Sequence, residues 1–496
     1  MNLHPMLEPG WVSAILPEIL LCGGGMLLIL FDAFVPRAKG ALGPLALIVF
    51  MAAAWAENIF VTGGVFFGGT YEISEITRLF DLTFLLAGML AILFGRDYLD
   101  REGIEGGEFY ALLAWGTVGM MMMAKGLDLL IIVLGLEILS ICIFILVGYH
   151  RRVAVSNEAS LKYFLMGAFA TGFILYGIAL FYGATASTNI RTMGAWFAAN
   201  EATPLLTVAF VLMMSGFGFK LALAPFHPWA PDVYQGAPSP VAGWLSVAPK
   251  AATLIALVRL FDAMAPMLPT VNWMNMVAAL AILSMIVGNA VAIVQRDLKR
   301  MLAYSGIAHV GYMTIAMLTV RDDSVAAIAV YTIVYAFMNI GAFGVVSMLV
   351  KNENDPHTLD DIAGLGFRRK FYGFALALCM FSLSGLPPKA GFISKFYIFK
   401  TAVESGHTTV ALIGILTSIV SVYYYLRVVY YLYMKEPAEE YAVPATGGVF
   451  AAGALIIAVV GILAIGLYPR PLFEAAGNAA SALLTPHGST EQLQRP

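Results

Sequence analysis

The chain has 496 residues, 60% of them hydrophobic and only 12% charged, with a mean hydropathy of +0.83. Soluble domains carry about 25% charged residues, so an ordinary soluble domain is excluded, and the net charge of −3 comes without a basic tail or patch that would suit nucleic acid. Cys22, Cys142 and Cys379 lie in apolar runs without paired spacing and read as small buried hydrophobes, not as metal or disulfide ligands.

A bilayer crossing needs about 20 mostly apolar residues. Fourteen runs qualify in chain order: 11–31, 41–62, 78–95, 108–125, 127–149, 159–184, 204–225, 239–261, 273–294, 300–319, 324–350, 371–403, 409–433 and 447–468. The first run follows an acidic, Pro-containing stretch without a basic n-region, so no cleavable signal peptide is expected. Alternate loops are rich in Lys and Arg, among them Arg96 and Arg101, Arg151 and Arg152, and Arg296, Lys299 and Arg300; the opposite set, with Arg78, Lys125 and Arg191, is poorer. Positive loops mark the cytoplasmic side. With fourteen spans, both termini are then expected outside. Arg259 and Arg427, near span ends, read as interfacial anchors.

Two runs contain breaks. The seventh runs into Pro225, Pro228 and Pro231, and the twelfth contains Ser384-Gly385-Leu386-Pro387-Pro388-Lys389. Proline removes a helix hydrogen bond and frees a carbonyl, and at membrane depth such freed groups line a cavity or meet protein. Paired breaks in two halves of a chain point to an inverted-repeat transporter. A weak internal match agrees: 216–220 and 391–395 share G-F-x-x-K, with lysines 175 residues apart, and the same step carries Glu137 close to His309. Five helices separate the halves, an odd number, so the second copy is inverted.

The titratable residues inside these runs carry the chemistry. Lys220, Lys250, Lys395 and, nearer a boundary, Lys162 sit in apolar surroundings, with Glu137 in mid-run. A charge at mid-bilayer costs roughly 2.5–3.5 kcal/mol on insertion scales and usually faces a bundle interior or water path. Snorkelling to the headgroups is the plain alternative for each lysine, hardest for Lys250 in mid-span. The carbonyl near Leu245, freed by Pro249, is an expected acceptor for Lys250. A Glu and a Lys at ~4 Å interact by about 4 kcal/mol at an effective dielectric near 20, so a pair that opens and closes moves a lysine's proton affinity across neutral pH. His309 fits a relay by its ordinary pKa of about 6.5, or is simply satisfied by neighbouring hydroxyls. The expectation is one polar line through Lys220, Lys250, His309 and Lys395.

Several stretches carry a resemblance: LPEILL (16–21), GLDLLIIVLGLEILSI (126–141), SNEASLKYFLMGAFATGFILYGIALFYG (156–183), KLALAPFHPWAPDVYQGAPSPVAGWLSVAPKAA (220–252), QRDLKRMLAYSGIAHVGY (295–312) and LSGLPPKAGFISKFYIF (383–399). They resemble the antiporter-like membrane subunits of proton-pumping NADH:quinone oxidoreductase, respiratory complex I, over about residues 11–480. EASLKYF and YQGAPSPV resemble the subunit N branch and not L or M. The resemblance implies an all-α polytopic fold of fourteen transmembrane helices, with inverted five-helix repeats at helices 4–8 and 9–13 and broken helices 7 and 12. It divides the chain into 1–107, 108–265, 266–434 and 435–496. By position it makes Glu137 and Lys220 a modulating pair, Lys250 the central lysine, Lys395 the lysine near the outward exit and Lys162 the helix-six lysine of the relay, and places His309 on the helix-ten hydrophilic axis. Lys389 and Ser394 depart from the family pattern beside Lys395. No cofactor is expected in this chain. FMN, iron–sulfur clusters and quinone belong to partner subunits, and the expected partners are the other membrane-arm subunits and lipid of a bacterial inner membrane. Two rivals remain open: a subunit of a multi-subunit cation/proton antiporter, and a non-transporting scaffold of the membrane arm.

Overall fold

The computed structural model describes residues 10–267, 273–319, 322–349, 357–437 and 447–484. The chain termini, on whose side the topology expectation depended, lie outside them. The helices that matter here are α1 Leu16–Phe34, α2 Leu42–Ile59, α3 Glu75–Glu102, α4 Gly107–Lys125, α5 Leu129–Val147, α6 Ala154–Thr185, α7 Pro204–Leu221, α8 Trp229–Gly236, α9 Ser239–Met264, α10 Trp273–Val294, α11 Leu298–Ala316 and α12 Asp322–Tyr335. They continue with α13 Lys370–Ser384, α14 Ala390–Glu404, α15 Thr408–Tyr433 and α16 Val449–Leu467.

Among the described residues, twelve helices are long and apolar enough to cross a membrane. Two of the fourteen expected runs fall outside that set. Run 108–125 is helix α4, diluted by Glu108, four glycine and threonine positions and Lys125, and buried on nearly every side. Run 371–403 is divided into α13 and α14, of 15 residues each. The helical expectation also omitted one antiparallel hairpin, β1 Gly64–Phe66 with β2 Tyr71–Ile73. Its tight turn uses left-handed backbone at Gly68 and Gly69, which glycine adopts without Cβ cost.

Both breaks have one geometry. Helix α7 ends on left-handed Ala222, and α13 ends on left-handed Gly385. Each is followed by Pro225 or Pro388, so the ladder cannot continue. The steps from Ala222 to Gly385 and from Pro225 to Pro388 are both 163 residues. A second correspondence lies at the start of α5 and α11. Asp128 and Asp297 cap the two helices through their side chains. Leu129 N donates to Thr188 O and Leu298 N to His357 O; Ile190 N donates to Leu127 O and Leu359 N to Arg296 O. Each partner recurs 169 residues later.

Helix α9 is the centre of the molecule, buried along its length, and α11 is nearly as enclosed. Helices α6 and α15 instead turn Phe169, Tyr176, Ile419 and Tyr423 outward. Close approaches are made by glycine: a Cβ on Gly119 of α4 would lie 2.5 Å from the Gly135 carbonyl of α5, the small-residue contact expected between membrane helices. Arg259 is a correction to the sequence reading. It is buried, not interfacial, and its Nη1 donates to Glu72 Oε2 of the hairpin at 3.0 Å, while Arg191 holds Oε1 at 2.6 Å.

Candidate functional site

Lys220 occupies the last turn of α7, immediately before the break, and is buried. Its Nζ donates to Ser140 Oγ of α5 at 2.7 Å and lies 5.9 Å from the Phe144 ring centre. Glu137 stands three residues before Ser140 on the same helix face. Its Oε1 accepts from Thr171 Oγ1 of α6 at 2.7 Å. The expected pair therefore lies on facing helices but is open: no Glu137–Lys220 ion pair within 4 Å occurs among the described residues.

Lys250 is 2% exposed on α9. Its acceptor is on another helix, the Gly306 carbonyl of α11 at 3.5 Å, and not the Leu245 carbonyl expected from the Pro249 kink. The ammonium also stands 5.6 Å from the centre of the Tyr234 ring. The Tyr234 and Tyr335 hydroxyls are buried without hydrogen-bond partners among the described residues.

His309 lies three residues beyond Gly306 and is enclosed by tyrosines. Nδ1 pairs with the Tyr331 hydroxyl at 2.7 Å and Nε2 with the Tyr425 hydroxyl at 2.9 Å. The Tyr335 ring stacks on the imidazole at 4.9 Å, and Tyr425 pairs onward with Ser305 at 2.7 Å. Helix α12 passes through a π-helical turn at Ala336–Ile340 beside Tyr335, where Asn339 Nδ2 donates to Ser246 of α9 at 2.6 Å. Such a turn inside an α-helix is often found at functional sites.

Lys395, two turns after the second break, donates to Ser418 Oγ of α15 at 2.9 Å and to the Ser384 carbonyl at the end of α13 at 3.2 Å. That carbonyl is one of those a broken helix leaves free. The ammonium lies 5.2 Å from the Tyr312 ring centre. The Tyr312 hydroxyl accepts from Asn289 Nδ2 at 3.0 Å, and Asn289 Oδ1 accepts from Tyr424 at 2.9 Å. A cavity of about 550 Å³, lined by Gly385, Phe392, Lys395, Phe396, Lys400 and Ser418, opens beside this lysine.

Gly306, His309 and Tyr312 are three residues apart on α11, so they share one face. That face touches Lys250 at one end and Lys395 at the other. The first part of the expected line is different. Among the described residues no hydrogen bond joins Lys220 to Lys250; between their neighbourhoods Trp229 Nε1 donates to the Phe219 carbonyl at 2.9 Å, and the ring contacts run from Phe219 to Trp229 at 5.3 Å and from Trp229 to Tyr234 at 6.3 Å.

Lys162 stands apart from the buried groups. Its side chain is 45% exposed and pairs with Glu158 at 2.7 Å and Asp232 at 3.2 Å. Asp232 of α8 also takes Arg300 of α11 at 2.7 Å. A lysine one turn inside a span reaches the surface by its own length. Lys389 leans on the Phe381 ring at 5.4 Å. Ser140, Ser418, Thr171 and the tyrosines around His309 escaped the sequence reading. Serine and tyrosine are common in apolar runs, and only their meeting across helices distinguishes them.

Residues 126–421 match the family model described as NADH:quinone oxidoreductase/Mrp antiporter, TM. A relative from Trichlorobacter lovleyi, called NADH-quinone oxidoreductase subunit N, is 41% identical over 97% of this chain and 99% of its own length. A second, subunit N 2 from Roseiflexus castenholzii, is 39% identical over 92% and 93%. A chain of respiratory complex I from Thermus thermophilus superimposes with a TM-score of 0.79 at 33% identity, covering 94% of this chain and 99% of that one. A chain of the Mrp complex from Dietzia shares the fold, with a TM-score of 0.81 at 18% identity over 96% and 98%.

Proposed function

Because this chain belongs to the NADH:quinone oxidoreductase/Mrp antiporter family of membrane proteins, we propose that it is a proton-translocating, N-type membrane-arm subunit of an NADH:quinone oxidoreductase. The observation that carries the transport reading is the α11 face: Lys250, His309 and Lys395 lie along one buried line of hydroxyls, imidazole and freed carbonyl. Near-full-length identity to relatives called subunit N favours this assembly over a cation antiporter, for which the likeness is one of fold. A scaffold has no use for three buried lysines, each of which costs free energy to desolvate.

In this reading the fold comprises fourteen crossings and two inverted repeats, over 108–265 and 266–434. The recurrence of the cap and loop hydrogen bonds at 169 residues supports it. On that alignment His309 corresponds to Ser140, and Glu137 to Gly306, instead of to His309 as the 175-residue lysine step suggested. Lys220 precedes its break and Lys395 follows its own, so the two lysines are not equivalent by position.

The relay works by charge. With the Glu137–Lys220 pair open, Lys220 leans on the Ser140 hydroxyl. Closing the pair draws positive charge toward Glu137 and changes the field at Lys250. A proton on Lys250 then moves along the α11 face, through water at the unpartnered Tyr234 and Tyr335 hydroxyls and through His309 and Tyr425, to Lys395. The cavity beside Lys395 opens on the outer face of the bundle between the outward-facing Phe396, Val403, Ile415 and Ile419, with Lys400 and Glu404 at its edge. The driving energy comes from quinone reduction in neighbouring subunits, which hold the flavin, iron–sulfur clusters and quinone; the chain sits in a bacterial inner membrane with both termini outside. Lys162, with Asp232 and Arg300, ties the two repeats at the surface and serves the axis from there. The test is purification through a tag on this chain. Co-purification of the other membrane-arm subunits and NADH-driven, sodium-independent proton uptake into vesicles are expected. A sodium-dependent exchanger lacking the redox subunits would overturn the reading.

A further inference from the structure

Lys125 is the last residue of α4. The sequence reading put it in a loop, but it is fully buried. Its Nζ is 2.6 Å from Asp81 Oδ2 of α3, 2.9 Å from Glu18 Oε1 of α1 and 3.4 Å from Glu57 Oε2 of α2. Three helices thus deliver one acid each to a single ammonium. The Tyr71 hydroxyl of the hairpin donates to Glu18 Oε1 at 2.8 Å and closes the group from that side. The remaining groups facing it are few. Arg78 of α3 is held by Glu75 and by the carbonyls of Glu57 and Asn58. Cys22 follows Glu18 by one turn of α1.

The charges do not balance. Glu75 answers Arg78, leaving three carboxyls for one ammonium. Lys125 also ends its helix, where the macrodipole favours a cation, so the ammonium is the group to keep its charge. Glu18 Oε2, Glu57 Oε1 and Asp81 Oδ1 are buried with no hydrogen-bond partner among the described residues. An ionised carboxylate only accepts, and a buried acceptor left unpaired carries its whole desolvation cost. Protonation removes the excess charge at those oxygens.

We propose that Glu18, Glu57, Asp81 and Lys125 form a second protonatable site, which holds at least one proton on its carboxyls and exchanges it with the aqueous face covered by residues 60–74 through Tyr71. The site is separate from the lysine line, yet both α3 and α4 pack on α9, which carries Lys250.

The test is infrared spectroscopy of the protein in its native membrane assembly, as wild type and as Asp81→Asn, Glu57→Gln, Glu18→Gln and Lys125→Met. At least one carboxyl variant should lose a C=O stretching band of a protonated acid. In the wild type that band should fade as pH rises and shift on transfer to D₂O. Lys125→Met should enlarge it, because acids without a counter-charge take up a further proton. No such band lost in any of the three carboxyl variants overturns the proposal and leaves a fully ionised structural cluster. A band that does not shift in D₂O overturns the exchange. If the charge-removing variants fail to assemble, Tyr71→Phe keeps every charge and decides the route: it should slow the D₂O shift of the pH-sensitive band, and an unchanged rate rules Tyr71 out.

Discussion

In Lys250→Met the ammonium is lost, and an unbranched thioether that adapts to irregular space takes its place. Held as a cation, Lys250 has little to offset its burial. Its one acceptor among the described residues, the Gly306 carbonyl, is at 3.5 Å, beyond the usual range of about 2.7–3.2 Å. The Tyr234 ring at 5.6 Å, near the outer limit of about 6 Å for a cation–π contact, contributes on the order of 2 kcal/mol when desolvated. Removing an ion of this size from water costs several kcal/mol even after relaxation. Replacing buried ions by hydrophobes of similar volume is often neutral or stabilising by about 1–4 kcal/mol, and the structure puts Lys250 in that class. The expected outcome is an assembly that forms in normal yield, resists heat at least as well as wild type, and has lost proton translocation per electron pair. The assays are yield of intact assembly, thermal inactivation of its NADH-oxidising activity, and NADH-driven proton uptake in vesicles. Retained translocation in an assembled variant would refute the central-relay role. Loss of assembly would refute the energetic argument, since it would mean that the lysine has strong partners.

Three further outcomes are expected. Glu137→Gln keeps the Thr171 hydrogen bond but removes the charge that the open pair needs in order to close; coupled quinone reduction should fall while the complex still assembles, and an unchanged coupled rate would count against the pair. Ser418→Ala takes the shorter of the two Lys395 hydrogen bonds, worth about 1.5–3 kcal/mol to a charged group, or roughly 10- to 150-fold in proton-transfer rate; equal proton uptake in Ser418→Ala and wild type would remove Ser418 from the route. Gly119→Val drives two methyl groups against the Gly135 backbone and should cost about 1–3 kcal/mol by overpacking, read as lower yield of the assembled complex, whereas Gly172→Val, which meets no atom, should assemble normally.

The parts of this molecule that sequence reveals are those that break a pattern locally. Clustered prolines in an apolar run mark the breaks at Pro225 and Pro388, where each follows a left-handed residue, whereas the single Pro249 leaves α9 continuous. Lys220, Lys250 and Lys395 stand out because each is surrounded in sequence by residues that exclude water. Lys125 fails this test. It ends a methionine run at a span boundary, where a lysine is ordinary, and its three acids come from positions 18, 57 and 81, also near helix ends. Only packing of four helices turns four boundary residues into one buried group. Lys162 follows the polar Ser156–Ser160 stretch at a span boundary, where snorkelling is as good a reading as function, and its side chain meets Glu158 and Asp232 at the surface. The hairpin at residues 64–73 was hidden by its length, three residues a strand, below what alternation reveals.

The two halves use corresponding places differently, and the difference bears on how such a relay runs. At the 169-residue correspondence, Ser140 and His309 occupy matching positions on α5 and α11. Ser140 is a hydroxyl that accepts from Lys220 at 2.7 Å; it passes a proton only by taking one as it gives one. His309 has two nitrogens, both engaged with tyrosine hydroxyls, and can hold a proton near neutral pH in water. The first half therefore has a lysine with a counter-charge close by, in Glu137, and, among the described residues, no hydrogen bond from that lysine toward Lys250. The second half has separate hydrogen-bonded groups along one face, at Lys250, His309 and Lys395, and no carboxylate hydrogen-bonded to them among the described residues. A single proton wire needs both halves to conduct alike. A divided arrangement needs one half to move charge and the other to move protons, and the relay proposed above is of that second kind. In the proposed relay the step from Lys220 to Lys250, crossed by Phe219, Trp229 and Tyr234, is electrostatic, and a field crosses an aromatic barrier that a proton does not.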